Sequence, residues 1–285
     1  MAFDMCDTHI HGVIGGTGGI GGQRGGEGGI GQGNNVQINT TSVHVYEAQE
    51  EDYHKIMDFL SPTNFLHRQQ EIYKMRHQDT GSWLLNHPSF LEWKSGPCQL
   101  LWCSGIPGAG KTVLACEMGV TCVFLNYKES GSQTLENVLG AVIRQLALQK
   151  DLQPARALYQ KHLKQDTSIT LAELQTLLEI YAQQFTQVYV ILDALDEYLE
   201  EDRDQLLEII LGATGNTKLL VTCRPQITPR GDLEYIHLEI EPPDDDIKAY
   251  IRARMARSHS LRGLTRDEIM KNGVVESITA KAAGM

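Results

Sequence analysis

Gly105-Ile106-Pro107-Gly108-Ala109-Gly110-Lys111-Thr112 fits the pattern G-x-x-x-x-G-K-[ST], a loop that wraps nucleoside phosphates. Glycines let backbone N–H groups close around the phosphates at a helix start, where the macrodipole favours negative charge. In such a loop Lys111 reaches the β- and γ-phosphates, and the Thr112 hydroxyl sits on Mg²⁺. The expected contact surface for the nucleotide runs from Gly105 through Val113. Residues 99–103 (Gln-Leu-Leu-Trp-Cys) read as a buried strand entering the loop, and residues 112–118 as the helix leaving it.

A second group of candidates is Val188-Tyr189-Val190-Ile191-Leu192-Asp193-Ala194-Leu195-Asp196-Glu197. Five apolar residues carry a strand through a core, and a carboxylate appears at its C-terminal end. Open α/β sheets bind ligands at that edge, so Asp193 is expected to face the phosphate loop. Its role there is to hold Mg²⁺ through water, since Mg²⁺ takes few carboxylates and keeps several waters. Asp196 and Glu197 follow at once, placed to orient or deprotonate an attacking water. The alternative for Asp196 is a solvated turn at a helix N-terminus. The third element is Val221-Thr222-Cys223-Arg224-Pro225. A guanidinium leaving a strand there can fork onto the γ-phosphate and separate triphosphate from diphosphate.

The elements between these motifs follow from periodicity. Strands alternate with helices, which argues for a parallel sheet covered by helices. Strands are expected at residues 99–103, 120–125, 188–192, 218–223 and 235–240. Helices are expected at 49–60, 64–76, 135–148, 171–185, 206–211, 244–257 and 266–282. Only about eight residues separate Thr112 from Val120, whereas a parallel crossover ordinarily takes a dozen or more. The helix behind the loop is therefore expected to have barely two turns.

Composition narrows the rest. The 285 residues are 41% hydrophobic, enough for a sizeable core, and the net charge of −11 argues against nucleic-acid or anionic-membrane binding. Arg252, Arg254 and Arg257 read as a solvated helix face. Six cysteines stand without C-x-x-C spacing, so buried free thiols in a reducing compartment are expected. Neither a secretory signal nor a membrane-length apolar run is present, which makes the cytoplasm the default. To about Asn35 the chain is Gly-rich without proline, a composition expected to stay flexible. Cys6, His9 and His11 sit close together there as weak metal candidates. Residues 34–46 are β-prone and nearly uncharged. The plain reading is a strand or ordered arm, although Val36-Gln37-Ile38 is similar to the core of amyloid signalling motifs of some fungal and animal immune proteins.

The run from about Asp52 resembles the NACHT domain of fungal STAND ATPases, a group also similar to the nephrocystin-type N-terminal NTPase domain. The resemblance is carried by Phe59-Leu60-Ser61-Pro62, Thr80-Gly81-Ser82-Trp83-Leu84-Leu85, Trp93-Lys94-Ser95-Gly96, residues 101–115 around the phosphate loop, Asp193 to Glu197, and Leu219 to Pro225. It implies an ATP/ADP and Mg²⁺ switch that self-associates through its core, with roles in non-self recognition or regulated cell death and with an N-terminal signalling partner. It also implies that the chain stops before a winged-helix module and a repeat array. The expected organisation is a Gly-rich leader at 1–47, a helical segment at 48–96, a P-loop NTPase core of α/β class at 97–241, and a partial helical subdomain at 242–285. Two alternatives stand beside the slow ATPase. One is a nucleotide-binding scaffold or decoy without turnover. The other is a P-loop kinase, disfavoured because nothing resembles a lid or acceptor site.

Overall fold

The computed structural model describes residues 52–77, 80–118, 121–231, 233–257 and 268–282, with the backbone alone at 116–118. The Gly-rich leader, the β-prone residues 34–46 and the Cys6, His9 and His11 group lie outside the described residues.

Five parallel strands form one sheet: β1 (Leu100–Ser104), β2 (Thr121–Phe124), β3 (Val188–Asp193), β4 (Thr217–Cys223) and β5 (Tyr235–Glu239). Their spatial order is β2-β3-β4-β1-β5. Every residue of β1, β2 and β4 is buried, as expected of parallel strands covered on both faces. Leu100, Leu101, Val190, Ile191, Leu192, Leu219, Leu220 and Val221 line the centre of the core. Full burial stabilises each such side chain by about 1.5–3 kcal/mol. The α/β class read from alternating strands and helices is the architecture observed.

The helices before the sheet are α1 (residues 52–60), α2 (Phe65–Met75), α3 (Ser82–Leu85) and α4 (Pro88–Ser95). Asn64 caps α2 by accepting from the Leu66 N–H, and Pro88 opens α4, where a missing N–H costs nothing. After β1 comes α5 (Lys111–Met118), eight residues long. It packs on β4, β3 and β2, so the short helix expected behind the loop does close the crossover. At 1.5 Å per residue it runs about 12 Å. The span from β1 to β2 is about 14 Å at the usual strand spacing, and the loop itself covers the remainder.

Downstream lie α6 (Leu135–Ala147), α7 (Gln153–Gln165), α8 (Leu171–Ala182), α9 (Glu200–Gly212), α10 (Asp244–Arg257) and α11 (Glu268–Ala282). Helix α7 was not foreseen, because its apolar stripe is thin: only Ala155 and His162 are buried in it. It is held at its far end, where buried His162 bonds Thr167 at 2.7 Å and Glu173 at 3.0 Å. Helix α1 crosses α6 at Gly140, where an added Cβ would come within 1.8 Å of the Leu60 carbonyl oxygen. Arg144 in α6 donates to the Met57 and Ser61 carbonyls and so caps α1. Helices α10 and α11 share a small cluster of Ile251, Met255 and Val275, separate from the main core. Arg252, Arg254 and Arg257 are exposed, as read from the sequence. Cys103 and Cys223 are buried free thiols, and Cys122 is buried as well. Among the described residues no helix is long and apolar enough to cross a membrane.

Candidate nucleotide-binding site

The strand order decides which loops meet. Strand β4 lies between β1 and β3, with Ser104 opposite Cys223 and Leu192 opposite Val221. The loop after β1, Asp193 at the end of β3, and Arg224 just beyond β4 therefore share one edge of the sheet. The Gly105 N–H donates to the Cys223 carbonyl at 3.2 Å, extending that contact past the strands. Gly108 and Gly110 both take left-handed backbone angles, φ 87° and 86°, which an L side chain would strain. Lys111 opens α5, so the loop's backbone leads straight into a helix N-terminus.

Lys111 turns back over this loop. Its Nζ donates to the carbonyls of Gly105 at 2.6 Å and Ile106 at 2.9 Å. Burial lowers its pKa, and the nearby carboxylates of Asp196 and Asp193 oppose that shift. The ammonium thus stands over the loop with acidic groups close by.

Asp193 is buried at 3% exposure. Its Oδ1 accepts from the Thr222 hydroxyl at 2.6 Å, and Thr112 at the start of α5 lies close enough to favour its charged form. Burial raises its pKa, while Thr222, Thr112 and the Lys111 charge pull it back down. Beyond Asp193 the chain turns sharply at Ala194, a non-glycine residue at φ 60°. The Ala194 N–H donates to Thr222 Oγ1 at 3.0 Å.

The single turn Leu195–Glu197 carries the other two acids. Asp196 accepts from the Arg224 backbone N–H through Oδ1 at 3.1 Å and faces Arg224 Nε through Oδ2 at 3.0 Å. Arg203 of α9 donates to the carbonyls of Asp196 and Tyr198, which pins the turn. Glu197 is half-buried, and its Oε2 accepts from the Tyr127 N–H at 3.4 Å in the segment after β2. Lys111, Thr112, Asp193, Asp196 and Arg224 are thus brought together, and Glu197 leans toward the β2 side. Beneath them the Cys223 thiol is pushed up to about 12, by burial first and then by Asp196, which leaves it unreactive.

These residues suit a nucleotide–Mg²⁺ pair. The left-handed glycines and helix start suit phosphate oxygens. One buried carboxylate beside one hydroxyl suits a hard cation that keeps most of its water. Among the described residues no group of three or more His, Cys, Asp or Glu is placed to hold a metal, so a cation here would depend on water and phosphate for its other positions.

Sequence reading missed Thr222, Arg203 and the Tyr127 N–H. Thr222 left a trace, since a hydroxyl inside a buried strand needs a partner. Arg203 lies only five to seven residues beyond the carbonyls it binds, but an arginine in an acidic helix start reads as solvated. Tyr127 lies 70 residues from Glu197 and left no local sign.

The family model described as nephrocystin 3, N-terminal, matches residues 79–224. That is half of the chain, which accordingly belongs to this family. No curated protein matches. Among solved structures, the chain is similar to a signal transduction ATPase with numerous domains (STAND) with a tetratricopeptide repeat sensor, from Pyrococcus horikoshii. Identity is 15%, the TM-score is 0.41, and the match covers 59% of this chain and 25% of that one. It is also similar to Cdc6p of Pyrobaculum aerophilum, at 14% identity and TM-score 0.40, covering 69% of this chain and 52% of the other. A third is the Drosophila ORC bound to AT-rich DNA and Cdc6, at 13% identity and TM-score 0.36, covering 86% and 83%. The chain thus spans a quarter of the Pyrococcus protein's length and about half of the Pyrobaculum protein's.

Proposed function

We propose that this chain is an ATP–Mg²⁺-binding switch module of the NACHT/STAND type that hydrolyses ATP slowly. The observation that carries this reading is the convergence of Lys111, Thr112 and Asp193 at one sheet edge under a loop with left-handed Gly108 and Gly110. Residues Gly105 to Val113 bind the phosphates, and Lys111 exchanges its bonds to the Gly105 and Ile106 carbonyls for phosphate oxygens. Thr112 and Asp193 hold Mg²⁺, which supplies charge neutralisation at the transferred phosphoryl group. Glu197 is the base that orients and deprotonates water. Arg224 reads the γ-phosphate. Asp196 supports it, since both its carboxylate oxygens already face Arg224.

The domain division at 48–96, 97–241 and 242–285 belongs to the same proposal. So do ADP binding at rest, self-association through the core, an N-terminal signalling partner, cytoplasmic location and a role in non-self recognition or cell death. They rest on the resemblance stated above. The scaffold without turnover remains the second reading. It is favoured by one observation: Asp196 is engaged by Arg224, so water activation falls to Glu197 alone.

Calorimetry and phosphate release test both readings. Lys111→Ala is expected to weaken ATP binding by at least about 100-fold, and retained tight binding would sink the assignment. Glu197→Gln is expected to keep ATP binding while phosphate release drops by about 100-fold or more. Equal background rates in both proteins would favour the scaffold.

A further inference from the structure

We infer that Thr222 is a positioning residue for the metal-binding carboxylate of Asp193, a part that no sequence motif assigned to it. The inference rests on the Mg²⁺ reading of Asp193 and extends it to a residue on the neighbouring strand.

The geometry leaves the Thr222 hydroxyl little choice. Thr222 lies in β4 at 3% exposure. Its Oγ1 accepts the Ala194 N–H at 3.0 Å and sits 2.6 Å from Asp193 Oδ1. A hydroxyl has one proton and two lone pairs. With the amide proton arriving at one lone pair, and an acceptor at hydrogen-bond distance, its own proton goes to the carboxylate. The Ala194 N–H points this way because Ala194 holds φ 60° and ψ 49°. That left-handed conformation is strained for an alanine, and the bond to Thr222 helps to hold it. Three groups therefore form a short chain from amide to hydroxyl to carboxylate, which fixes the rotation of the Asp193 carboxyl group. One oxygen is loaded by Thr222. That leaves Oδ2 as the oxygen a cation would take, in a direction the hydroxyl sets. Outer partners of this kind ordinarily tune metal affinity by about 10- to 100-fold.

The part played by Thr222 is thus distinct from strand packing. Valine has nearly the shape of threonine and lacks the hydroxyl, whereas serine keeps the hydroxyl and loses only a methyl group. The experiment measures ATP binding by calorimetry on the full chain over a series of Mg²⁺ concentrations, beginning with none. Thr222→Val is expected to raise the Mg²⁺ concentration giving half of the affinity gain by about 10- to 100-fold. ATP affinity without Mg²⁺ should stay within about twofold, and Thr222→Ser should stay close to the parent. Should Thr222→Val fail to give a cooperative melt, Thr222→Ala is measured in the same way, since it removes the same hydroxyl without burying a new branch. A folded Val or Ala variant with an unchanged Mg²⁺ midpoint overturns the inference. So does a Ser variant displaced as far as Val. If Mg²⁺ fails to improve ATP binding by the unaltered chain, the metal reading of Asp193 itself is lost. If Mg²⁺ improves binding and the variants do not move, only the part given to Thr222 is lost.

Discussion

Asp196 engages Arg224 at two points, taking the backbone N–H on one carboxylate oxygen and facing Nε with the other. The acid is nearly buried and the arginine is half-exposed, with side-chain exposures of 10% and 53%. A single turn after β3 thereby holds the residue that follows β4. The contact fixes the stem of Arg224 close to the loop and to Lys111.

The first prediction concerns this pair. A charge-assisted hydrogen bond to a γ-phosphate contributes about 1.5–3 kcal/mol. Arg224→Ala should therefore reduce the preference for ATP over ADP by about tenfold or more, a tenfold change being about 1.4 kcal/mol. ADP affinity should move little. Calorimetric titration with each nucleotide measures both, and an unchanged ATP-to-ADP ratio would remove the sensing role from Arg224.

A second prediction concerns the open edge of the sheet. Strand β2 is outermost, yet its backbone is closed by two buried glutamines. Gln145 accepts the Cys122 N–H and donates to the Cys122 carbonyl, each at 2.9 Å. Gln133 accepts the Asn126 N–H at 2.9 Å and donates to the Phe124 carbonyl at 3.1 Å. Each side-chain amide stands in for the backbone of a missing strand. Gln145→Leu leaves a buried donor and a buried acceptor unmatched, at about 1–3 kcal/mol each. Urea unfolding should show a loss of about 2–6 kcal/mol with little change in slope. A variant as stable as the parent would show that water replaces the amide.

Acid should weaken the α7–α8 connection in a defined window. The Glu173 carboxyl is held down to about 2 from 4.5, first by Lys161 and then by the Thr170 backbone. A carboxylate with a depressed folded-state pKa adds stability above its unfolded pKa. That stability is lost as pH falls through the folded value. The loss should therefore run from about pH 4.5 down to about pH 2, with the contribution intact at neutral pH. Glu173→Gln should be less stable than the parent at pH 7 and converge on it near pH 2. Thermal melts across that range would show the convergence, and parallel curves would contradict it.

Much of the fold was legible because its signals are local. Gly108 and Gly110 mark left-handed positions, and an apolar strand ending in Asp193 marks a sheet edge. Strong stripes such as Leu135, Val138, Leu139, Val142 and Ile143 mark a helix against the core. Helix α7 was illegible for the converse reason. It buries two residues and owes its place to Phe59 and Tyr159 in edge-on contact and to the His162 bonds.

The eight residues of the phosphate loop and the acid closing β3 were decided by residue type and short-range spacing alone. Backbone angles and strand burial act over a few residues, so a linear reading reaches them. The partners of Asp193, Asp196 and Cys122 were decided by the tertiary structure. Thr222, Arg224 and Gln145 lie 29, 28 and 23 residues away from them along the chain. They meet because β4 inserts between β1 and β3 and because α6 covers the β2 edge. Strand order depends on how all the apolar faces are buried at once, and no short stretch of sequence carries that information.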